Sequence, residues 1–269
     1  MASLAASLLD LREMDRIALQ ETALHRVDPR AKVLAAACFL TVLGSYNRME
    51  ISSLLPLAAF PVALAAFGDV PFGMFLRKVL LGMPFVVILG AFFPFLDTAP
   101  AMRLGSVEIS GGWLAFCSLL VRGTLAIATV TALVAVTGFG DVCAGLDQLG
   151  LPRIFVQQLL FLYRYLFVVG EETQRGLLAR ELRSHGRSMA WQEYPSFIGN
   201  LLLRSWERAE RVHTALLARG FRGTLPARSH AASALAAWTF VLGWAGFFLI
   251  CRLFPIPRLL GAMVSGSTP

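Results

Sequence analysis

Lysine is nearly missing from this chain. Only Lys32 and Lys78 occur among its 24 basic residues, so the net charge of +7 rests on arginine. A phosphate-binding loop of the GxxxxGK[ST] type needs lysine after glycine. Here Lys32 follows Ala31 and Lys78 follows Arg77, which excludes a P-loop ATPase. Cysteine is equally sparse: Cys38, Cys117, Cys143 and Cys251 are scattered, three of them in apolar runs, with no CxxC spacing. They read as small hydrophobes, not as disulfide partners or metal ligands. HExxH and GxSxG are absent, and His25, His185, His213 and His230 do not stand at metal-ligand spacings. No catalytic residue, metal site or cofactor is expected. A basic n-region ahead of an apolar core is also lacking in MASLAASLLDLREMDRIALQ, so no signal peptide is expected.

What fills the chain is apolar. Hydrophobic residues make up 57% of it and charged residues 15%, with a mean hydropathy of +0.66; soluble domains carry about 25% charged residues. This is the composition of a polytopic membrane protein. In such a chain a basic balance points to cytoplasmic loops and anionic membrane lipid, and no nucleic-acid partner is expected.

Five apolar runs suit membrane helices: 31–46, 51–67, 79–95, 113–136 and 232–251. A sixth, 154–169, carries Gln157, Gln158, Tyr163, Arg164 and Tyr165, which favour a partly buried or interfacial helix over a span. With five spans and the N-terminus inside, nineteen basic residues fall on the cytoplasmic side, twelve of them arginines from Arg153 to Arg228. Arg48, Arg103, Arg252 and Arg258 are left outside. The bias predicts an inside N-terminus, an outside C-terminus and a cytoplasmic Arg-rich region. Arg122, in LLVRGTL, is the one charge deep in a span, where insertion costs about 2.5–3.5 kcal/mol. Two roles fit it equally: a substrate path or polar tie between helices, or an arginine that snorkels or pairs with a backbone carbonyl. No acidic residue in the other spans is an obvious partner.

The Arg-rich region contains one motif twice, as LLARELRSHG (Leu177 to Gly186) and LLARGFRG (Leu216 to Gly223). Pro152 predicts a helix start, running through 154 to about Ser184 with Gly186 as a stop. Its second half is amphipathic, with Glu171 and Arg175 four residues apart. Pro195 predicts a second helix ending at Gly220, with Ile198, Leu202, Ala209, Val212 and Leu216 as an apolar stripe. Arginines at helix ends ordinarily serve solubility and dipole compensation. The repetition of small–Arg–small chemistry at two helix ends points further, to two docking points for a partner present in two copies.

These segments resemble the transmembrane (T) component of energy-coupling-factor (ECF) ABC transporters, of the CbiQ type of cobalt permease. HRVDPRAK (His25 to Lys32) is similar to the stretch before that family's first span. VTGFGDVCAGLDQLGLPRIFVQQLLFLYRYL is similar to its approach to the coupling domain. GNLLLRSWERAERVHTALLARGFRG (Gly199 to Gly223) is similar to its second coupling helix, with Ala218, Arg219 and Gly220 as the family writes the closing motif. The first motif departs from the pattern. It sits either at Ala179-Arg180-Glu181, because LLAR recurs, or at Leu182-Arg183-Ser184, which keeps a small residue after arginine near the helix stop; Arg183 is preferred.

The resemblance implies an all-α polytopic membrane protein with about five transmembrane helices and a cytoplasmic coupling domain of long amphipathic helices. It divides the chain into a cytoplasmic segment 1–30, membrane helices 1–4 over 31–137, a coupling domain 138–230, and a last membrane helix with an external tail over 231–269. The implied role is a non-catalytic subunit in a bacterial cytoplasmic (inner) membrane. Two ATP-binding cassette ATPase subunits would each grip one Arg-bearing helix end. A substrate-binding membrane subunit of CbiM type, with or without a small accessory membrane subunit, would capture the solute. That solute would be cobalt for cobalamin biosynthesis, with nickel or a vitamin as alternatives. A self-contained secondary transporter is the other class, and it would predict paired intramembrane charges and inverted repeats that the chain does not display.

Overall fold

The computed structural model describes residues 24, 27–47, 52–96, 100–104, 107–185, 187, 189–221 and 234–253. The expected segments 1–23 and 254–269, and the stretch 222–233 with Arg222, Gly223 and Arg228, lie outside the described residues, as do His25, Arg26 and Gly186. The described chain forms two compact units, residues 24–145 with 234–253 and residues 146–221.

In the first unit, α1 is Pro29–Ser45. Asp28 caps it, accepting the Arg30 N–H at 2.9 Å, and Pro29 occupies the first turn where its missing N–H costs nothing. The second apolar run does not form one helix. It is two 3₁₀ turns, Ser52–Leu54 and Pro56–Ala58, followed by a nine-residue helix α2, Ala59–Phe67. Pro56 denies the chain an amide there, which breaks the run. Next come α3 (Phe72–Gly90), a single turn α4 (Phe93–Leu96), and two short strands, β1 (Pro100–Leu104) and β2 (Val107–Ser110). The strands pair antiparallel, with Arg103 opposite Glu108. The unit is completed by α5 (Gly111–Thr137), the first part of α6 (Phe139–Gln148) and α9 (Ala234–Leu253).

The fold is that of a helical polytopic membrane protein, as the composition predicts, with the β1–β2 ribbon as an addition. A Gly105-Ser106 pair between two short runs signalled that ribbon in the sequence. Among the described residues four helical segments are long and apolar enough to cross a membrane: Phe72–Phe95, Gly111–Thr137, Arg153–Arg183 and Leu235–Leu253; Ser52–Phe67 is a shorter apolar segment.

The core of this unit is aromatic. Phe39 of α1, Phe60 of α2 and Phe248 of α9 are fully buried, with ring centroids 5.1–5.4 Å apart, and Trp244 lies 4.8 Å from Phe60. Such offset and edge-on pairs add about 0.5–1.5 kcal/mol each beyond burial. The long helix α5 is the element the others share, with α1, α2 and α3 all packed on it. Its seam with α3 is set by glycines. A Cβ at Gly123 would lie 2.5 Å from Val86, one at Gly82 would lie 2.7 Å from Ile127, and one at Gly90 would lie 2.7 Å from Phe116. In lipid, where no hydrophobic drive joins helices, close backbone approach over small residues supplies the dispersion contact instead. α3 also carries Pro84 in its interior, a break that a membrane helix accommodates when neighbours surround it.

The second unit consists of α7 (Arg153–Arg183) and α8 (Tyr194–Ala218), with a 3₁₀ turn at Trp191–Glu193. Stretch 154–169 is the first half of α7, so the polar residues that argued against a span lie in a helix of 31 residues, about 46 Å at 1.5 Å per residue.

Replacing Gly123 with valine should force α3 away from α5. Overpacking of this kind costs about 1–3 kcal/mol. The expected result is a lower melting temperature of the detergent-purified protein than for Gly44→Val, where a Cβ meets nothing within 4 Å.

Candidate functional site

Both helices of the second unit end in a C-cap followed by a residue in the left-handed conformation. In α8 the chain turns at Arg219, the C-cap (φ −89°, ψ 9°), and Gly220 follows at φ +74°. The Gly220 N–H donates to the Leu217 carbonyl at 2.9 Å and the Phe221 N–H to the Leu216 carbonyl at 3.0 Å. This is a Schellman closure, and the left-handed residue it requires is supplied by glycine. In α7, Ser184 is the C-cap (φ −88°, ψ 6°), its N–H donating to the Arg180 carbonyl at 2.8 Å, and His185 takes the left-handed conformation at φ +53°. The Ser184 hydroxyl donates to the Glu181 carbonyl at 3.2 Å.

The two arginines of the first motif differ in situation. Arg180 lies within α7 and pairs with Glu193, just ahead of α8. Arg183 is the last residue of α7 and is exposed, as are Ala179 and Leu182. Ala218, Arg219 and Gly220 are exposed too. Neither Arg183 nor Arg219 has a carboxylate partner among the described residues. The two ends are not superimposable. Arg219 immediately precedes its left-handed residue, whereas Arg183 precedes His185 by two. One helical step is about 100° and 1.5 Å, so each guanidinium leaves from a different side of its helix end.

Behind these ends the helices are tied together. Glu172 of α7 faces two arginines of α8, Arg208 at 3.4 Å and Arg204 at 3.8 Å. Phe197 of α8 closes on Gly176, where a Cβ would sit 3.1 Å from its ring. Glu171 and Arg175 form the expected i,i+4 pair at 3.6 Å. The first half of the apolar stripe read from the sequence is open: Ile198 and Leu202 are exposed, together with Trp206, while Val212 and Leu216 are half-buried and no residue of α8 is fully buried. Phe197, Arg204 and Arg208 meet α7 instead. The signal that could have located this face is the matching of Glu172 with arginines four residues apart.

Arg122 lies on α5 in the other unit. Its guanidinium Nη2 donates to the carbonyl of Asn47, just past the end of α1. Arg252 of α9 reaches the same helix end. It donates to the Ser45 carbonyl at 3.0 Å and lies 4.6 Å from the Tyr46 ring centroid, while the Tyr46 hydroxyl donates to the Cys251 carbonyl at 3.1 Å. Terminal carbonyls of a helix carry its negative dipole end. Arg252 sits on such a carbonyl and Arg122 on the Asn47 carbonyl two residues past the helix, so the two arginines tie α5 and α9 to the end of α1 through backbone carbonyls.

No group of three or more His, Cys, Asp or Glu side chains that could hold a metal ion occurs among the described residues. A family model described as cobalt transport protein (CbiQ) matches residues 20–231. The chain belongs to the CbiQ family. It is a membrane-embedded transport component. Curated relatives are distant. An energy-coupling factor transporter transmembrane protein EcfT of Listeria innocua is 26% identical over 74% of this chain and 81% of its own length. The cobalt transport protein CbiQ of Rhodobacter capsulatus is 28% identical over 49% of this chain and 57% of its own length. An uncharacterized protein of Methanocaldococcus jannaschii is 22% identical over 75% and 72%.

If Arg122 is a tie, Arg122→Leu should cost stability rather than transport chemistry. Losing a charged hydrogen bond to a helix-end carbonyl costs about 1.5–3 kcal/mol. The melting temperature should fall, while solute uptake per molecule of folded protein stays within about twofold of wild type, a range that spans less than 0.5 kcal/mol.

Proposed function

We propose that this CbiQ-family chain is the coupling subunit of an ECF-type ATP-driven importer for cobalt. In this reading it is not catalytic. Two ATP-binding cassette subunits hydrolyse ATP, and each grips one Arg-bearing helix end, Arg219 at α8 and Arg183 at α7. A CbiM-type membrane subunit, with or without a small accessory subunit, captures the ion, and this chain transmits the ATPase motion to it. The membrane is the bacterial cytoplasmic membrane, with the N-terminus and the α7–α8 unit on the cytoplasmic side.

The observation that carries the reading is the pair of exposed helix ends whose arginines have no carboxylate partner among the described residues. A guanidinium at a helix end offers a planar, permanently charged fork for carboxylates or carbonyls in a partner groove. Its small neighbours, Ala218 and Gly220 in one case and Ser184 in the other, permit close approach. Arg180 is already paired with Glu193 within the unit, which supports Arg183 as the docking arginine. The name of the Rhodobacter relative and the family description favour cobalt over nickel or a vitamin.

Arg219→Glu should abolish cobalt uptake, since truncating an anchor buried in a partner groove costs about 2 kcal/mol or more. Arg183→Ala should weaken capture of the ATPase by the tagged chain, and Arg180→Ala should leave capture intact. The wild-type chain should bring down ATPase in about twofold excess, matching one subunit per helix end in the two-site reading. Normal uptake by an Arg183→Glu/Arg219→Glu double variant at normal membrane levels would end the docking role.

Orientation is tested by labelling a Cys-depleted variant. A cysteine at position 187 should react only from the cytoplasm and one at 265 only from outside. The reverse result, 187 reacting from outside and 265 from the cytoplasm, would make α7 a sixth crossing, and labelling of both from one side would show that α9 does not cross.

A further inference from the structure

The ties between α7 and α8 lie in antiparallel order. Arg180 pairs with Glu193, Phe197 closes on Gly176, and Glu172 meets Arg204 and Arg208. The tie at Glu172 differs in kind, because one carboxylate serves two guanidiniums. Arg208 Nη2 donates to its Oε2 at 3.4 Å, and Arg204 Nη1 lies 3.8 Å from its Oε1. Arg204 and Arg208 stand about one helical turn apart on the same side of α8. A single ion pair can swivel. A carboxylate engaged through both oxygens by groups one turn apart resists both sliding and rolling of α8 against α7.

The second observation is where this tie falls. Glu172 precedes Arg183 by eleven residues, and Arg208 precedes Arg219 by the same eleven. Eleven residues of α-helix rise about 16 Å. Because the two helices run antiparallel, Arg183 lies that far from the tie in one direction and Arg219 that far in the other. The tie therefore stands midway between the two helix ends.

We propose that Glu172 is a positioning residue: by holding Arg204 and Arg208 it sets the distance and angle at which α7 and α8 present Arg183 and Arg219. The inference rests on the docking role proposed above and deepens it by giving the partner's geometry. The partner offers two guanidinium-accepting grooves no more than about 33 Å apart, the limit reached if the two arms were collinear. A partner whose two copies move relative to one another must turn α7 on α8, and the Glu172 tie is where that turning is resisted. Ion pairs this open to solvent add little to stability. Loss of the carboxylate therefore leaves the unit folded and frees the angle.

The test uses the complete complex, purified through a tagged, Cys-depleted chain and reconstituted in liposomes, with ⁵⁷Co²⁺ as the transport probe. Spin labels on cysteines that replace Leu178 of α7 and His213 of α8, both exposed, report the distance between the helices by double electron–electron resonance. With Glu172 present the distribution should be one narrow peak. Glu172→Gln keeps the shape of the side chain and removes its charge. It should broaden the peak while ATPase capture and ATP hydrolysis persist, and uptake per ATP should fall about fivefold, the lower end of ordinary coupling effects. Arg208→Ala, on the other helix, should repeat both changes. Glu172→Asp, which retains the charge, should keep most of the coupling.

An unchanged distribution, or unchanged uptake per ATP, in Glu172→Gln would overturn the positioning role. Capture of no ATPase by the unsubstituted chain would instead overturn the docking role, and this inference with it.

Discussion

The contact between α3 and α5 is the constraint on which the membrane unit depends. Helices in lipid gain little from hiding apolar side chains, since the surroundings are equally apolar, so association rests on how closely the backbones approach. Gly82 and Gly90 on one helix and Gly123 on the other remove the side chains that would hold them apart, and Ile127, Phe116 and Val86 fill the space. With α5 placed in this way, its remaining faces receive α1 and α2. The aromatic cluster of Phe39, Phe60, Trp244 and Phe248 then joins α1 and α2 to α9.

The polar residues of the unit make sense against that packing. α1 has 17 residues and spans about 25 Å, short of a hydrocarbon core of about 30 Å. Its ends therefore lie where a lone helix would present unsatisfied backbone groups at an unfavourable depth. At the first end Asp28 accepts a backbone N–H and lies close to the buried Lys32. At the other end Arg122 and Arg252 donate to the carbonyls of Asn47 and Ser45. These charges are costly alone in a membrane protein but are placed where helix ends need them. The intramembrane arginine belongs to the same economy as the buried lysine.

Much of this was legible in the sequence, and what was not has identifiable causes. Composition pointed to a polytopic membrane protein, and the apolar runs 31–46, 113–136 and 232–251 reappear as α1, α5 and α9 within a few residues. Run 51–67 reads as one span because its apolar content is continuous; hydropathy does not register that Pro56 interrupts the backbone ladder. The start of α3 at Phe72 was missed because Arg77 and Lys78 interrupt the apolar signal without interrupting the helix. Arg122 was visible as an anomaly, yet its acceptor is a backbone carbonyl 75 residues away. No side-chain pattern encodes such a partner. The two Arg motifs were readable as a repeat; α7 ends near Ser184 and α8 at Gly220 as expected, with His185 in the left-handed position after α7 and the expected stop Gly186 outside the described residues. The apolar stripe of α8 was readable as a stripe, but what it meets was not, because periodicity gives the face and not its partner.

That open stripe bears on the coupling role. A helix with Ile198, Leu202 and Trp206 exposed at four-residue intervals leaves an apolar surface that a self-sufficient unit would cover. Most internal ties of the unit are polar by contrast, Glu172 with Arg204 and Arg208 and Arg180 with Glu193, beside the apolar contact of Phe197 on Gly176. Exposed ion pairs are worth about 1 kcal/mol or less each, so they orient α7 and α8 without making the unit rigid by themselves. Polar ties inside and apolar surface outside is the reverse of an independent domain. In the coupling role proposed above, such a part would be completed by other subunits, with the charged helix ends as the proposed points of attachment.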